Sequence, residues 1–345
     1  MPTPPESVRE IRVAALPDGL PRPEHFTIAR TPPPVPGDGD VLVRNRFFHV
    51  FPALRTLLGG GVPGAPFPPL RPGDVLFGAA IGEVVSAPPG TGPRPGDLVR
   101  HFLGWREYAA VPAAQCTPVD DALPDPVVHL GSAAIAYTAL TRDARVRPGD
   151  TVFVTGGAGG VGSMAGQIAR LLGAGRVLGS TGSPAKAQRL VAELGYDAAV
   201  IRDAGAGAGP IAEQLAEAAP DGIDVLVDNV GGEQLQAAVG AARTGARFVL
   251  VGTLAGQLAP GLPGTTGPAE IDTFQLITRR IAMRGFGGLD DDGQGRPGWV
   301  ERVGGWLRSG ELTFPHVRFA GIESAPRALQ EVIDGRHLGA VVVEL

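Results

Sequence analysis

The chain has 345 residues and a formal net charge of −5, and 43% of its residues are hydrophobic, as is typical of a globular protein of about two domains. No basic stripe marks a nucleic-acid surface, and no segment approaches the roughly 20 apolar residues of a membrane span. The N-terminus lacks an apolar signal core, so a cytoplasmic location is expected. A single cysteine, Cys116, excludes an internal disulfide and a multi-cysteine metal site.

Short apolar runs alternate with proline- and glycine-rich turns over residues 1–124. This pattern predicts a compact, mostly β domain with tight turns. The predicted strands lie in the segments IRVAAL, DVLVRNRFF, GAAIGEVVSA, GDLVRHFLG and REYAAVPA.

The pattern changes near residue 125, where apolar strands begin to alternate with helical segments. Such alternation predicts parallel βαβ units with right-handed crossovers, and therefore a doubly wound sheet over residues 125–310. Strands are expected in DTVFVTG, RVLGST, AAVIRD, IDVLVDNVGG and ARFVLVG, and helices in VVHLGSAAIAYTALTRDA, VGSMAGQIARLLGA, SPAKAQRLVAELG, GPIAEQLAEAA and EQLQAAVGAA. Further on, FQLITRRIAMRGF predicts a helix and a strand, GWVERVGGWLRSG a helix, and the tail a helix and a strand.

A glycine-rich turn follows the strand DTVFVTG and opens the next helix. Gly157, Gly159 and Gly162 have the G-x-G-x-x-G spacing of a dinucleotide-binding turn. The first glycine permits the tight turn, the second lets a pyrophosphate approach the backbone, and the third lets helix and strand pack closely. Within the βα repeats, this turn predicts a dinucleotide site.

The only lysine of the chain, Lys186, indicates which dinucleotide binds. NAD-binding sites usually carry a carboxylate about 20 residues beyond the glycines, where it bonds the ribose 2′-hydroxyl. No carboxylate occurs from Arg176 to Ala192, whereas Ser180 offers a hydroxyl and Lys186 a positive charge. Because this arrangement suits a 2′-phosphate, the sequence predicts NADPH as the cofactor.

Several motifs resemble the medium-chain dehydrogenase/reductase superfamily, within its zinc-independent branch of prostaglandin reductases and alkenal or curcumin double-bond reductases. They are FPALRTLL, GDVLFGAAIGEVVSA, GGAGGVGSMAGQIARLLG, GSPAKAQRLVAELGYD, IDVLVDNVGGE, RIAMRGF and HLGAVVVEL. The resemblance implies an α/β protein with an N-terminal chaperonin-10-like β domain (1–124, completed by 311–345) and a Rossmann domain that binds NADPH (125–310). It also implies NADPH-dependent reduction of the carbon–carbon double bond of an enone or enal, on an apolar carbonyl substrate of the kind met in secondary metabolism.

The resemblance also implies a set of cofactor contacts. The pyrophosphate is expected at the glycine turn, the 2′-phosphate at Lys186, a ribose hydroxyl at Asn229, and the nicotinamide and its ribose along two strand ends. Arg202 stands where the family usually has tyrosine and can stack on adenine or fork onto the 2′-phosphate. The full predicted set is Gly159, Gly160, Val161, Gly162, Ser180, Lys186, Arg202, Asn229, Val251, Gly252, Thr253, Phe286, Gly287, Gly288 and His337.

The substrate side departs from the family pattern. Two tyrosine positions of the family are Ala53 and Gln257 here, so Gln257, His49 and Tyr137 are the candidates for bonding and protonating the developing enolate. Phe51, Arg55 and Trp105 are expected at the substrate, where the aromatic side chains favour an apolar molecule.

Two further predictions concern metal and assembly. Zinc members of the superfamily carry Gly-His-Glu where this chain has AAIGE, so no zinc is expected, since catalytic zinc needs about three protein ligands. ARFVLVG is expected to form the sixth strand, with RIAMRGF toward an edge that joins a homodimer. Two alternatives stay open, namely quinone reduction and a non-redox cyclase or ligand-binding role on the same fold.

Overall fold

The computed structural model describes residues 5–64, 67–202, 209–288 and 298–345. It divides the chain into two compact units. Unit 1 runs to Gly131 and adds His316–Arg336 and Ala340–Leu345, whereas unit 2 is Ser132–Pro315 with His337–Gly339. Relative to the predicted boundaries, residues 125–131, which include a short 3-10 helix (Pro126–Leu130), go with unit 1. Residues 311–315 and 337–339 of the tail go with unit 2. Within the described ranges, no helix has the length and apolar character needed to cross a membrane.

The secondary structure is numbered here in chain order. The strands are β1 (Val8–Val13), β2 (Phe26–Thr31), β3 (Asp40–Val50), β4 (Ala80–Ser86), β5 (Leu98–His101), β6 (Tyr108–Pro112), β7 (Thr117–Pro118), β8 (Thr151–Val154), β9 (Arg176–Thr181), β10 (Ala198–Ile201), β11 (Ile223–Asp228), β12 (Ala242–Leu250), β13 (Ala282–Gly285), β14 (His316–Ala320) and β15 (Ala340–Glu344). The helices are α1 (Leu54–Leu58), α2 (Ser132–Thr138), α3 (Gly160–Leu171), α4 (Pro184–Leu194), α5 (Ile211–Ala218), α6 (Gly232–Gly240), α7 (Leu254–Gln257), α8 (Thr273–Thr278), α9 (Trp299–Ser309) and α10 (Ala325–Ile333).

Unit 1 is built on an antiparallel sheet in the order β14-β15-β3-β4-β5-β7, with β6 also paired to β3. Only β14 and β15 run parallel within it. The long strand β3 buries Val41 and Val43 against Val84 and Val111, which forms an apolar cluster under the sheet. Buried and half-buried residues alternate along β5 and β6, as is typical of a sheet covered on one face, whereas β15 is buried from Ala340 to Val343.

Unit 2 holds a six-stranded parallel sheet in the order β10-β9-β8-β11-β12-β13. This is the strand order of a doubly wound dinucleotide-binding fold, whose order reverses between its first strand, β8, and β11. Phe153, Leu178, Leu226 and Phe248 are fully buried at its centre, because helices cover both faces of a parallel sheet. Ligands of such sheets bind beyond the carboxyl ends of the strands at the reversal point.

Two sequence predictions about unit 2 were wrong in detail. ARFVLVG forms the end of β12, which lies inside the sheet, and β13 is the sixth strand at the edge. The predicted long helix around residues 127–144 is broken, because Gly131 adopts a positive φ of 119° between the 3-10 helix and α2. A π-helical turn, Ala139–Asp143, then follows α2.

Candidate active site

The glycine turn between β8 and α3 is held by hydrogen bonds to the neighbouring strand β9. The Gly156 N–H donates to the Ser180 hydroxyl at 2.9 Å, and the Gly157 N–H donates to the Ser180 carbonyl at 2.8 Å. The Ser180 hydroxyl in turn donates to the Gln234 side-chain oxygen. Ser180 is fully buried, so its observed role is to hold the turn, and its direct contact with the cofactor stays a prediction.

The start of α3 can approach the turn only because glycine occupies position 162. A Cβ there would lie 2.7 Å from the Gly157 Cα, closer than real contacts allow. The helix begins at Gly160 with Gly159 as its N-cap, so the N–H groups of its first turn have no acceptor within the helix. Such N–H groups, at the positive end of the helix dipole, form a site for phosphate.

Tyr196 braces the same region, although sequence reasoning did not single it out. Its hydroxyl donates to the Gly162 carbonyl at 2.7 Å, and its ring lies against Gly166 and Gly179, where a Cβ would collide with it. Burial raises the pKa of this phenol, so Tyr196 stays neutral. The signal was present in the sequence as two glycines, one within α3 and one within β9.

Two cations lie at the loop that follows β9, and this loop carries no carboxylate. Lys186, in the first turn of α4, donates from Nζ to the His337 carbonyl at 2.6 Å. Arg202 follows β10, its N–H donates to the Thr181 carbonyl at 2.8 Å, and its guanidinium lies about 3.1 Å from the Cβ position of Gly182. Burial, and secondarily Arg189, lowers the pKa of Lys186. The two predicted 2′-phosphate ligands therefore lie at one loop.

The tail segment His337–Gly339 lies beside the glycine turn. The Gly339 N–H donates to the Ala158 carbonyl at 2.9 Å, and Gly339 forms an isolated bridge with Gly159. Gly339 has a φ of 89°, and a Cβ on it would collide with the Pro315 backbone, so only glycine fits. His337 is thus held close to Lys186, while its donation to the cofactor stays a prediction.

The strand ends of β11 and β8 are joined by a buried polar network. The Asp228 carboxylate accepts from the Thr155 hydroxyl at 2.6 Å and from the N–H groups of Val230 and Gly231. The Asn229 side-chain amide donates to the Thr155 carbonyl at 2.8 Å, which fixes the orientation of its carboxamide. This arrangement holds Asn229 at the carboxyl end of β11, next to the reversal point of the sheet.

The segment after β12 is anchored to the same strand end. The N–H groups of Val251 and Gly252 both donate to the Asp228 carbonyl, at 2.7 and 3.0 Å. A Cβ on Gly252 would lie 2.8 Å from the Asn229 carbonyl oxygen, so this close approach requires glycine. Thr253 is the N-cap of α7, whose last residue is the half-buried Gln257. Asn229, Val251, Gly252 and Thr253 are therefore brought together.

The backbone Phe286–Gly288 extends the edge strand β13. The Phe286 N–H donates to the Leu250 carbonyl at 2.8 Å, and Arg142 donates to the Gly288 carbonyl at 3.0 Å. The Arg142 guanidinium also lies over the Phe286 ring, 5.5 Å from its centroid. Gly287, which lies between them, is exposed.

Tyr137, the third catalytic candidate, is buried on α2 of unit 2. Its ring lies 6.3 Å from that of Trp306 on α9. It lines an open cavity together with Thr141, Arg142, Arg145, Val146, Leu172 and Arg302. Its catalytic role stays a prediction.

Unit 1 places His49 and Phe51 next to each other at the end of β3. Their rings stack at 5.7 Å, and burial lowers the pKa of His49 to about 4. His49 is therefore a neutral imidazole at neutral pH, able to donate one hydrogen bond but not to act as a cationic acid. The sequence identified the residue, whereas its protonation state follows from its burial.

Trp105 and Arg55, the other predicted substrate residues, are both buried in unit 1. Trp105 has no exposed surface, packs against Phe48 with ring centroids 5.1 Å apart, and adopts a positive φ of 63°. Arg55 lies on α1, and burial lowers the pKa of its guanidinium. Both support the interior of the unit, and their contact with substrate stays a prediction.

Three phenylalanines that sequence reasoning did not select form a second aromatic cluster in unit 1. The rings of Phe67 and Phe102 stack at 4.8 Å with an interplanar angle of 9°, and Phe77 lies 5.5 Å from Phe67. Gly78, which follows Phe77 in the chain, lies against the Phe51 ring, since a Cβ on Gly78 would be 2.8 Å from that ring. The cluster is partly exposed, with Phe67 at 37%.

No group of three or more metal-ligating side chains occurs within the ranges that the structure describes. The buried His101 is instead committed to hydrogen bonds. Its Nδ1 accepts from the Leu103 N–H at 3.1 Å, and its Nε2 lies 2.8 Å from the Asn45 side-chain oxygen.

The donor set at the carboxyl ends of β8, β9, β11 and β12 fits a phosphorylated dinucleotide. It combines free helix N–H groups, two glycines that admit no side chain, and two cations with no carboxylate on the loop. Fold and site together define a dinucleotide-binding oxidoreductase of the Rossmann class.

Comparisons with known proteins agree with this class. A family model described as the N-terminal domain of oxidoreductase matches residues 9–119, and one described as zinc-binding dehydrogenase matches residues 160–296. A protein named as an NADP-dependent oxidoreductase, YfmJ of Bacillus subtilis, is 32% identical over 98% of this chain and 98% of its own length. The NADPH-dependent curcumin reductase of Escherichia coli is 28% identical over 96% of this chain and 95% of its own.

Among solved structures, CurA of Vibrio vulnificus is similar with a TM-score of 0.85 and 30% identity, covering 98% of both chains. Its complex with NADPH gives a TM-score of 0.84. The chain therefore belongs to the medium-chain dehydrogenase/reductase superfamily, in the branch that contains the curcumin reductases. The predicted family, fold class, oxidoreductase class and NADPH cofactor are confirmed.

Proposed function

We propose that this protein is an NADPH-dependent reductase of the carbon–carbon double bond of an apolar α,β-unsaturated carbonyl compound. The observation that carries the proposal is the whole-length likeness to a curcumin reductase and to CurA, at 28% and 30% identity. It is supported by the cationic loop after β9 and by the aromatic side chains of unit 1.

The residues of unit 2 divide the work of binding NADPH. The N–H groups in the first turn of α3 bind the pyrophosphate. Lys186 and Arg202 pair with the 2′-phosphate, and Asn229 forms a hydrogen bond with a ribose hydroxyl. The strand ends at Val251–Thr253 and Phe286–Gly288 take the nicotinamide and its ribose. When bound, NADPH supplies the hydride that reduces the double bond.

The chain itself must stabilise the negative charge that develops on the substrate carbonyl oxygen. A hydrogen bond aimed at that oxygen is usually the largest catalytic contribution. The Gln257 amide and the neutral His49 imidazole each carry an N–H suited to this purpose, and neither is an acid at neutral pH. The proton that reaches the α-carbon therefore comes from water, and the two side chains orient and stabilise the carbonyl.

The apolar side of the substrate is assigned to unit 1. Phe51 and the cluster of Phe67, Phe77 and Phe102 present flat, partly exposed rings, which favour a flat conjugated molecule. Offset stacking of aromatic rings contributes about 0.5–1.5 kcal/mol beyond area burial. A conjugated aryl enone has both a flat apolar ring, which can stack on aromatic side chains, and a carbonyl oxygen, which accepts hydrogen bonds.

The test is the rate of NADPH oxidation with a panel of aryl enones, aliphatic enals and quinones, measured by stopped flow. Aryl enones are expected to react fastest, with the saturated carbonyl compound as product by mass spectrometry. A Phe102→Ala variant is expected to raise KM for aryl enones more than for short enals, while Phe319→Ala, away from that cluster, serves as a control. If NADPH binds but is not oxidised with any enone or enal, the proposal is wrong. Oxidation of NADPH with quinones alone would identify the protein as a quinone reductase instead.

A further inference from the structure

An open cavity of about 650 Å³ in unit 2 has not been assigned any role. It lies between the segment that follows α2, the end of α3 and the helix α9. Its volume falls within the range of about 300–1,000 Å³ that is usual for small-molecule sites. Its lining combines guanidinium groups with apolar surface and consists of Tyr137, Thr141, Arg142, Arg145, Val146, Leu172 and Arg302.

Two guanidinium groups at this cavity have no carboxylate partner among the described residues. The Asp143 carboxylate is buried and already pairs with Arg142 at 3.1 Å and with Arg284 at 3.4 Å. Within the described part of the chain, no carboxylate lies within ion-pair distance of Arg145 or Arg302. Two guanidinium groups at the cavity therefore have no acidic partner there.

Neighbouring groups hold each guanidinium of the cavity in place. Arg302 lies over the Trp306 ring at 5.2 Å, and the Arg145 Nε donates to the Arg142 carbonyl at 3.3 Å. Arg142 spans from Asp143 to the Gly288 carbonyl. Guanidinium groups that are oriented beforehand lose less freedom when they bind a carboxylate or phosphate.

The backbone near the cavity is unusual in two places. The π-helical turn Ala139–Asp143 carries two of the lining residues, and π-turns occur frequently at functional sites. Arg145 follows it with a φ of 49°, a left-handed conformation that is disfavoured for a residue with a side chain. Such conformations persist where the surrounding structure enforces them, often at ligand sites.

From these observations we propose that the cavity binds a small organic oxyanion, a phosphate or carboxylate group carried on an apolar body. The guanidinium groups of Arg145 and Arg302 bind the oxyanion as hydrogen-bonding forks. Val146, Leu172 and the Tyr137 ring contact the apolar body. Neither Arg145 nor Arg302 is among the cofactor residues assigned above, and the proposal does not depend on which carbonyl compound the enzyme reduces.

The test uses the NADPH-loaded enzyme, so that the cofactor site is filled and cannot take up the probe. Titration calorimetry is run with hexyl phosphate, hexanoate and neutral hexanol, and the fluorescence of Trp306 beside the cavity gives a second readout. One or both anions are expected to bind with a stoichiometry of one, and hexanol not to bind. The stronger of the two anions identifies the head group.

Two substitutions remove the proposed ligands. Arg145→Asn removes a guanidinium while keeping a residue that tolerates a positive φ, and Arg302→Gln removes the other. Each is expected to weaken anion binding about tenfold or more, the scale of one charge-assisted hydrogen bond. Arg280→Asn is the matched control, because Arg280 is also exposed, also has a positive φ of 53°, and does not line the cavity.

Reductase activity and NADPH affinity are expected to be unchanged in all three variants. The proposal is wrong if neither anion binds the wild-type enzyme, if hexanol binds equally well, or if Arg280→Asn weakens binding as much as the two cavity variants. If the wild-type enzyme does not reduce enones, the proposed function is wrong but the anion site is unaffected, since calorimetry detects anion binding without turnover.

Discussion

The ammonium group of Lys186 bonds the His337 carbonyl at 2.6 Å, and the proposed function gives it a second partner, the 2′-phosphate of NADPH. The lysine therefore ties the tail segment His337–Gly339 to the start of α4, in addition to its proposed contact with the 2′-phosphate. A substitution at this position tests both roles, and the two dinucleotides separate them, since NADH lacks the 2′-phosphate.

Lys186→Ala is expected to weaken NADPH binding by about 1–3 kcal/mol, the scale of a charge-assisted hydrogen bond. NADH binding should change little, and titration by fluorescence or calorimetry measures both. Equal losses for the two cofactors would mean that the lysine acts only by holding the tail, and the 2′-phosphate assignment would be dropped.

Gln257 is the residue on which the proposed chemistry depends most. Gln257→Ala is expected to lower turnover about 10²–10³-fold under conditions where chemistry limits the rate, because a donor to the developing oxyanion is lost. Gln257→Tyr, which restores the residue usual in the family, should retain or raise activity. Unaltered single-turnover rates in the alanine variant would move the search to Tyr137.

The sequence placed candidate site residues where the proposed chemistry depends on residue type, and their roles stay predictions. The glycine spacing and the missing carboxylate identified the turn and the lysine loop, and the structure places Arg202 beside that loop. The committed hydroxyl of Ser180 and the neutral state of His49 were not predictable, because both follow from burial and from partners distant in sequence.

At the level of elements, strands and helices with strong local signals were recovered. RVLGST matches β9, and SPAKAQRLVAELG contains α4, which has Ser183 as its N-cap and Gly195 at its left-handed end. The strands β2 and β14 were missed, because their pairing depends on partners that the local sequence does not reveal. The π-helical turn after α2 has no local sequence signal that we can identify.

Two histidines, His49 on β3 and His101 on β5, are expected to make the stability of unit 1 sensitive to acid. Burial lowers the pKa of His49 to about 4, and burial together with Arg106 and Arg100 lowers that of His101 to about 3. Both values lie below the ordinary 6.5, so the unfolded chain binds more protons than the native state in this range. The contribution of these two histidines to the free energy of unfolding is therefore fully present above pH 6.5 and is lost as the pH falls toward 4 and 3.

The urea midpoint is expected to fall as the pH is lowered from about 6.5 to 5. The underlying loss in the free energy of unfolding is up to about 1.4 kcal/mol per pH unit for each histidine. His101→Phe should be less stable at neutral pH by about 1–3 kcal/mol, because the Asn45 oxygen loses its donor. It should also lose less stability on acidification than the wild-type protein. An acid-dependent loss of equal size in the variant would exclude His101 as a source.

Unit 2 has an edge strand and a helix face with exposed apolar side chains. β13 ends the parallel sheet, and on α8 the side chains of Phe274 and Ile277 are 68% and 71% exposed. Residues three apart on a helix share a face, so these two form one apolar surface. An open edge and an exposed apolar surface both mark sites of association.

A C2 homodimer joined through β13 and α8 is therefore expected, because an isologous contact covers both features in each copy. Light scattering at micromolar concentration should give twice the monomer mass. Ile277→Asp should shift the protein toward monomer without unfolding it, since the side chain is exposed in the single chain. Val35→Asp is the matched control, because Val35 is 89% exposed in unit 1 and lies on neither element. A wild-type protein that is monomeric under these conditions, or an Ile277→Asp variant that dimerises as before, would place the partner surface elsewhere or remove it.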